Sequence, residues 1–498
     1  MDFIQNFPFF SIILSMFSGT VSSVLPSKAA KWLNTTIIVL IGGMSVVLFG
    51  YILETGTSYT YMMGHYPAPW GNEIRAGLLE AGMAIFFCII MLLSMMGGRK
   101  KLIDEVEPSK LNLYYILTNL LLSSLLALIY TNDIFTAYVF VEINTIAACG
   151  LIMIRQNGRT IEAAVRYMIM SLLGSGLLLM GICMLYDMTG HLLMSNIQEE
   201  VAVIAAQGTY NVPLLVTIAL ISVGLAIKSA LFPFHSWLPD AYGYSTVSSA
   251  AMLSSLVSKG YIFLVIKIFY RVIGFDIIQD SKIINILFIF GLAGMIAGSL
   301  SAIKENDIRR MIAYSSVAQV GYIYMGIGMG TEAGMIASIF HILAHGATKS
   351  LLFIGAIGLT DVSNKSRKFQ DLTGAGYRNK VAGIGFTVGA FSMVGIPVFS
   401  GFVSKLLFAE AAIYISSERM LATLIVLGIS TILNAIYFMK TVIRIYIPEN
   451  KPNQIKIGVG KEVEYTVTIG LFIVLNIVLG MMSQPITNWI KLGIEMFA

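Results

Sequence analysis

Apolar residues come in blocks along this chain. Runs of about 18 to 25 mainly apolar residues, long enough to cross a bilayer as α-helices, alternate with short polar connections from one end to the other. They fall near residues 8–25, 33–52, 77–96, 111–130, 134–154, 163–186, 212–232, 246–270, 283–302, 308–328, 333–359, 381–411, 421–443 and 465–482. The pattern predicts an all-α polytopic membrane protein of about fourteen transmembrane helices, and an even number puts both termini on one side. Residues 484–498 are too short and too mixed to span and are expected to lie in the membrane interface.

Composition agrees with this pattern. Of the 498 residues 57% are hydrophobic and only 12% charged, against roughly 25% charged in a soluble domain, so the chain could not cover a water-facing surface. The net charge of +5 is spread in short clusters between apolar runs, which reads as membrane topology rather than a nucleic-acid surface. About 20 of the 32 basic residues follow odd-numbered spans: Lys28 and Lys31, then Arg99, Lys100, Lys101 and Lys110, then Arg155 and Arg159. Lys304, Arg309 and Arg310 come next, followed by Lys365, Arg367, Lys368, Arg378 and Lys380, and by Arg444, Lys451, Lys456 and Lys461. The other side holds about five, Arg75, Arg271, Lys282, Arg419 and Lys491. Basic connections stay cytoplasmic, so both termini are expected on the outer side of an inner or plasma membrane. Cys88, Cys149 and Cys183 sit in apolar runs without C-x-x-C spacing and read as packing residues rather than disulfide, zinc or iron–sulfur ligands. The Met1-Asp2 start has no basic n-region, so the first apolar run reads as a retained helix.

Seven basic residues remain inside the spans: Arg166, Lys228, Lys259, Lys267, Lys349, Lys405 and Lys440. Arg166, Lys267 and Lys440 stand near helix ends, where a long side chain can snorkel to the interface. Lys228, Lys259, Lys349 and Lys405 stand deep, where a charge costs about 2.5–3.5 kcal/mol on insertion scales. One such lysine could simply pair with an acid and hold two helices together; four at similar depth point to an ion path. Lysine suits proton relay, because burial favours the neutral amine and a nearby carboxylate restores the charge. In the first half the deep carboxylate is Glu142, in Tyr138-Val-Phe-Val-Glu142-Ile-Asn144. Glu410, five residues after Lys405, could serve the second half or merely end a helix at the outer surface, and Asp133 reads as a helix start.

His341, His345 and Lys349 are spaced four apart, so they share one stripe and climb about 12 Å along the eleventh helix. That suits a hydrated proton path; interhelical hydrogen bonding is the alternative. Neither a third metal ligand nor the facing histidine pairs of a haem accompany them, so no metal and no cofactor are expected.

Two spans are interrupted. The seventh reads Lys228-Ser-Ala-Leu-Phe-Pro233-Phe-His235-Ser-Trp237-Leu-Pro239-Asp240 and the twelfth Gly395-Ile-Pro397-Val-Phe-Ser400-Gly401-Phe402-Val-Ser-Lys405. Proline removes a backbone donor and breaks the helix, and broken helices in corresponding halves mark ion pathways. The five-helix spacing between Pro233 and Pro397 suggests two inverted repeats, helices four to eight and nine to thirteen. Gly326, Gly328 and Gly330 lack a preceding strand and are read as turn formers rather than a phosphate loop.

At these residues the chain resembles the antiporter-like subunits of the complex I superfamily, found in respiratory NADH dehydrogenases, Mrp cation/proton antiporters and membrane-bound hydrogenases. The resemblance rests on Glu162-Ala-Ala-Val-Arg166-Tyr167, Lys228 through Asp240-Ala, Asp307-Ile-Arg-Arg-Met-Ile-Ala-Tyr314-Ser-Ser-Val-Ala-Gln319-Val-Gly321-Tyr322, His341 through Lys349, and Gly395 through Lys405. It implies that Glu142 and Lys228 are the fifth- and seventh-helix pair that gates proton uptake, and Lys259 a bridging lysine of the eighth helix. His341, His345 and Lys349 would form the central hydrophilic axis and Lys405 the terminal lysine. Lys259 and Lys405 resemble the D-type Mrp subunit and its hydrogenase counterparts; Met252 stands where several relatives have histidine, and no long lateral helix of the largest subunit type is expected. The resemblance implies partners as well: other membrane subunits and, in a redox-driven host, hydrophilic iron–sulfur subunits.

The expected organisation is N-terminal helices in 1–131, an antiporter-like core in 132–446 and a C-terminal helix and tail in 447–498. The expected function is proton translocation, with or without a coupled cation, as a subunit of an energy-converting complex whose redox site lies elsewhere. The alternatives are Mrp-type sodium/proton antiport without redox chemistry, a self-sufficient antiporter, and a scaffold whose buried charges only join helices.

Overall fold

The computed structural model describes residues 3–66, 71–448, 455–458 and 462–497. Lys451, Lys461 and the Met1-Asp2 start lie outside the described residues. The first helices are α1 (Phe7–Ser22), α2 (Ser27–Thr55), α3 (Leu78–Glu105), α4 (Leu111–Tyr130), α5 (Ile134–Met153) and α6 (Gly158–Thr189). Then come α7 (Met194–Gln207), α8 (Asn211–Lys228), α9 (Leu238–Tyr244), α10 (Val247–Met252), α11 (Ser258–Ile268), α12 (Phe275–Asp280), α13 (Ile283–Lys304) and α14 (Ile308–Gly328). The chain continues through α15 (Glu332–Asp361), α16 (Ala375–Arg378), α17 (Lys380–Val394), α18 (Ser400–Ala411), α19 (Ser417–Ile445), α20 (Val463–Met481) and α21 (Ser483–Glu495). Between α2 and α3 a hairpin pairs β1 (Tyr59–Met62) antiparallel with β2 (Glu73–Ala76), Tyr59 facing Ala76.

Among the described residues twelve helices are long and apolar enough to cross a membrane, counting Val247–Ile273 as one. Two of the fourteen expected spans fall outside that set. Segment 308–328 is the continuous helix α14, made polar by Arg309 and Arg310 in its first turn and by Ser315, Ser316 and Gln319. Segment 381–411 is divided into α17 and α18. Two elements were not expected. Helix α7, inside the connection read as loop, buries Met194, Ile197, Val201 and Ile204 and donates from Gln198 to the Tyr270 carbonyl at 3.0 Å. The tail read as interfacial forms α21, whose Trp489 indole donates to the Leu78 carbonyl at 3.0 Å.

Side-chain caps close several helix starts, satisfying donors that a helix leaves open. Asp133 accepts from the Thr136 amide at 2.6 Å, Asn157 and Thr160 form a reciprocal capping box, and Asp307 accepts from the Arg309 and Arg310 amides. The segment Val247–Ile273 and α15 are enclosed on all sides, whereas α2, α6 and α19 leave much of their surface outward. Helices α13 and α14 approach through small residues, as membrane helices do: a Cβ on Gly291, Gly298 or Gly328 would strike the partner helix's backbone at 2.4–2.5 Å. Gly326 and Gly328 therefore pack inside α14 instead of turning the chain, and only Gly330, with φ of +68°, turns it. Cys88 and Cys149 are buried, but Cys183 is exposed on the outward face of α6 and is not a core residue.

Lys267 does not snorkel. It is fully buried and donates to the Ile129 carbonyl at 2.6 Å and to the Thr131 carbonyl, capping the end of α4. Beside it Arg75 pairs with Glu80 at 2.7 Å, both side chains almost wholly enclosed, and Arg75 also donates to Ser58 and to the Met496 carbonyl. Removing one partner of a buried pair strands the other charge and costs about 3–5 kcal/mol. Arg75→Ala is therefore expected to lower the melting temperature of the detergent-purified protein well below that of Arg99→Ala. The latter loses a partly exposed pair with Glu464, worth about 1 kcal/mol or less.

Candidate functional site

The structure brings Glu142 on α5 to Lys228 at the end of α8, with Nζ 3.3 Å from Oε1. The lysine side chain is fully enclosed and the carboxylate is 26% exposed. Lys228 also donates to Thr145 Oγ1 at 2.7 Å, Ser175 donates to the carboxylate, and the Tyr261 ring lies 5.6 Å from Nζ. As the last residue of α8, Lys228 sits where the partial negative charge of the helix C-terminus favours a cation. Thr145 leads onward through the Tyr261 hydroxyl at 3.3 Å to Asn144 at 3.0 Å.

The remaining lysines meet no carboxylate among the described residues. Lys259 follows a π-helical turn, Leu253–Val257, and donates to the Ser254 carbonyl and to Ser258 Oγ at 3.2 Å. Lys349 donates to the Ile312 carbonyl at 2.9 Å and to Ser315 Oγ. Lys405 on α18 donates to the Val394 carbonyl at 2.6 Å, at the last residue of α17. Glu410 is exposed and forms no ion pair with Lys405. The neighbour that matters to that end is Ser404, which hydrogen-bonds His341 Nδ1.

His341 stacks between Tyr322, at 5.4 Å, and His345, at 5.8 Å. His341 Nε2 and both ring nitrogens of His345 are buried without a protein partner. Buried polar atoms require hydrogen bonds, and a polar cavity with several such groups is where water resides. Lys259 and Lys349 both lie within electrostatic reach of His345. Lys228 and Lys259 share no direct contact among the described residues; Thr145 and Tyr261 lie on Lys228's side.

Both breaks are backbone features. Around Pro233, α8 stops at Lys228 and α9 begins at Leu238, with Ala230 at φ +61°. Around Pro397, α17 stops at Val394 and α18 begins at Ser400, with Gly395 at +92° and Val398 at +82°. The short helix α9 is pinned by arginines. Arg166 and Arg310 share Asp240, and Arg310 also reaches Glu305 at 3.0 Å. The guanidiniums of Arg159, Arg310 and Arg367 lie 5.5–5.7 Å from the Tyr244 ring. The carbonyls of residues 242 to 245 accept from Arg309, Arg367, Arg155 and Arg309 respectively.

Residues 131–433 match the family described as NADH:quinone oxidoreductase/Mrp antiporter, TM. The chain belongs to this family. It is 30% identical to NADH-quinone oxidoreductase subunit N of Desulforudis audaxviator over 89% of this chain and 87% of that one. It is 27% identical to the D-type subunit of a Na(+)/H(+) antiporter from Alkalihalophilus pseudofirmus over 86% and 84%. In fold it superposes on a chain of an archaeal membrane-bound sulfane sulfur reductase with a TM-score of 0.87 at 24% identity, covering 99% of this chain and 97% of that one. A chain of the Mrp complex from Dietzia sp. DQ12-45-1b gives 0.86 at 22% identity with the same coverage. The chain is thus a multi-span membrane protein and an antiporter-like subunit of the complex I and Mrp superfamily.

Sequence reading missed Thr145, Ser175 and Ser404. Thr145 stands one helical turn after Glu142 and Ser404 beside Lys405, so spacing alone could have marked those two. A test of the second break follows from Gly395, where a Cβ would meet Lys405 Cδ at 3.0 Å and Nζ at 3.3 Å at a φ of +92°. Gly395→Ala is expected to destabilise by about 1–2 kcal/mol, the cost of a left-handed residue. Gly428→Ala, in open space on α19, is expected to stabilise by about 0.5–1 kcal/mol. Paired thermal melts of the two variants would check the opposite signs.

Proposed function

We propose that this chain moves protons, alone or coupled to a cation, across a cell membrane as one subunit of a multi-subunit energy-converting complex. The path runs through Glu142, Lys228, Lys259, His341, His345, Lys349 and Lys405, within 132–446. The observation that carries the reading is the Glu142–Lys228 pair, closed on a fully enclosed lysine at the start of a run of buried amines and imidazoles held only by hydroxyls and carbonyls. A carbonyl or hydroxyl accepts from an ammonium and from a neutral amine alike, so it holds the nitrogen without fixing its charge. A proton arriving at one lysine raises the cost of a charge on the next. Two inverted five-helix units, with breaks at Pro233 and Pro397, fit the positive-φ residues and helix-terminal lysine contacts common to both.

Relatives in a dehydrogenase and in an antiporter at similar identity leave two host types in view. We assign the chain to a host with other membrane subunits. Affinity purification from native membranes followed by mass spectrometry separates them: iron–sulfur subunits mark a redox-driven host, membrane subunits alone an Mrp-type host. A chain that purifies alone and exchanges cations in liposomes would overturn the subunit reading. Both termini are assigned to the outer side from the basic connections; a phosphatase active only outside, fused at the C-terminus, is expected to be active.

Glu142→Gln and Lys228→Ala are each expected to lower proton translocation about a hundred-fold or more, the lower end for loss of a positioned proton-transfer group, with the complex still assembled. The measurement is fluorescence quenching in inverted vesicles beside a native gel. Undiminished translocation, or loss of assembly in step with loss of activity, would favour the scaffold reading.

A further inference from the structure

A second polar line approaches Lys349 from the basic end of the bundle. A cavity of about 350 Å³ opens between the ends of α13, α14 and α19, lined among others by Glu305, Lys368, Tyr437, Lys440 and Arg444. Its walls belong to the connections that carry the chain's basic clusters, so it opens on the face assigned as inner. Tyr437 is 3% exposed, and its hydroxyl donates to Asn434 Oδ1. Ser299 donates to the same Asn434 Oδ1 at 3.4 Å, and Met311, in the cavity wall, precedes Ile312, whose carbonyl accepts from Lys349. Ser315 Oγ is the acceptor of the Lys349 ammonium, and the Phe438 ring, next in sequence to Tyr437, lies 5.9 Å from the same nitrogen. One phenol therefore stands between the cavity and the lysine.

A branch runs deeper along the same face of α19. Tyr322 stacks on His341, and its hydroxyl is buried without a hydrogen-bond partner, as are Ser430 Oγ and Asn434 Nδ2 one helical turn apart on α19. Ser430 Oγ, Asn434 Nδ2, Tyr322 Oη and His341 Nε2 are all buried polar atoms without a protein partner. Four such atoms in succession, in a protein whose other buried hydroxyls mostly bond backbone, mark a strip that water can occupy.

We propose that this cavity is an inner-face proton access route to Lys349, passing from cavity solvent through the Tyr437 and Ser315 hydroxyls, with Asn434, Ser430 and Tyr322 as a branch to His341. A hydroxyl takes a proton on its oxygen as it releases the one it carries, so the net event is transfer of one proton from the cavity to the Lys349 amine, with both hydroxyls unchanged. Lys368, Lys440 and Arg444 at the mouth repel a hydrated metal cation, while hydroxyl-to-hydroxyl transfer carries only protons, so the route discriminates against sodium. This inference rests on the translocation reading above and adds to it a second opening, remote from Glu142.

The experiment uses the assembled complex in inverted vesicles, its chain freed of Cys88, Cys149 and Cys183. In one arm Tyr437→Phe removes the hydroxyl; in the other, Thr441→Cys in the cavity wall is modified by a bulky anionic methanethiosulfonate presented to the inner face. Proton translocation is expected to fall about a hundred-fold in the Tyr437→Phe arm and to be lost on modification in the other, with assembly retained on native gels and with the same reagent harmless in the cysteine-free parent. Undiminished translocation in either arm would overturn the route. Lys228→Ala in the same vesicles separates the two ideas: if it abolishes translocation while both arms leave it intact, the route alone fails, and if it has no effect the reading beneath it fails.

Discussion

A buried ammonium has to find oxygen, and in this protein it finds most of it on the backbone. Regular helix uses its carbonyls within the ladder, so Lys267, Lys405 and Lys259 are placed where the ladder ends or slips, and Lys349 shares a carbonyl already in use. Lys267 takes the last carbonyls of α4, Lys405 the last carbonyl of α17, and Lys259 a carbonyl of the π-helical turn just before it. Lys349 shares the Ile312 carbonyl with Ser315 and Ser316 near the start of α14. Only Lys228 meets an acid. The breaks, the π turns and the polar content of α14 follow from this one requirement, since the cost of burying an ion is met only where partners are supplied.

The acid sits at one end of the series. Glu142 is the most accessible member, while Lys228 and everything beyond it is enclosed. A carboxylate at the edge of a line of amines makes its ends chemically unlike: Lys228 meets an acid at the partly exposed end, whereas among the described residues Lys259, Lys349 and Lys405 meet hydroxyls and carbonyls alone. The surface beside Glu142 on α5 and α6 is apolar and outward-facing, with Val139, Ile146, Ile169 and Leu172 exposed. In an assembly this is the side from which a neighbour's charge would be felt most strongly.

The apolar blocks made the membrane class and most helices legible, because span length is fixed by bilayer thickness. The deep lysines were legible for the same reason: they are conspicuous against an apolar background. What the pattern hid was of two kinds. Helix α7 repeats apolar residues at Ile197, Val201 and Ile204, a helical period lost among its polar residues; the hairpin's strands, Tyr59–Met62 and Glu73–Ala76, are four residues each and too brief to read. Partners across the bundle, such as Thr145 for Lys228 and Ser315 for Lys349, are far apart in sequence and meet only through packing. Lys267 was misread because its place near a helix end permits snorkelling, yet α4 supplies two carbonyls closer than water.

The arginine lattice on α9 carries a mechanical meaning. This helix has only seven residues, and the carbonyls of residues 242 to 245, at its far end, are held by three arginines that arise from the α5–α6 link, the start of α14 and the link after α15. It is therefore a fixture of the basic rim and cannot swing as an independent lever. The stretch from Ser229 to Trp237 is tied back to α8 as well, by the Leu231 amide on the Ala226 carbonyl at 2.9 Å and the Trp237 indole on the Ile227 carbonyl at 3.3 Å, so Lys228 stands on a braced corner rather than a free end.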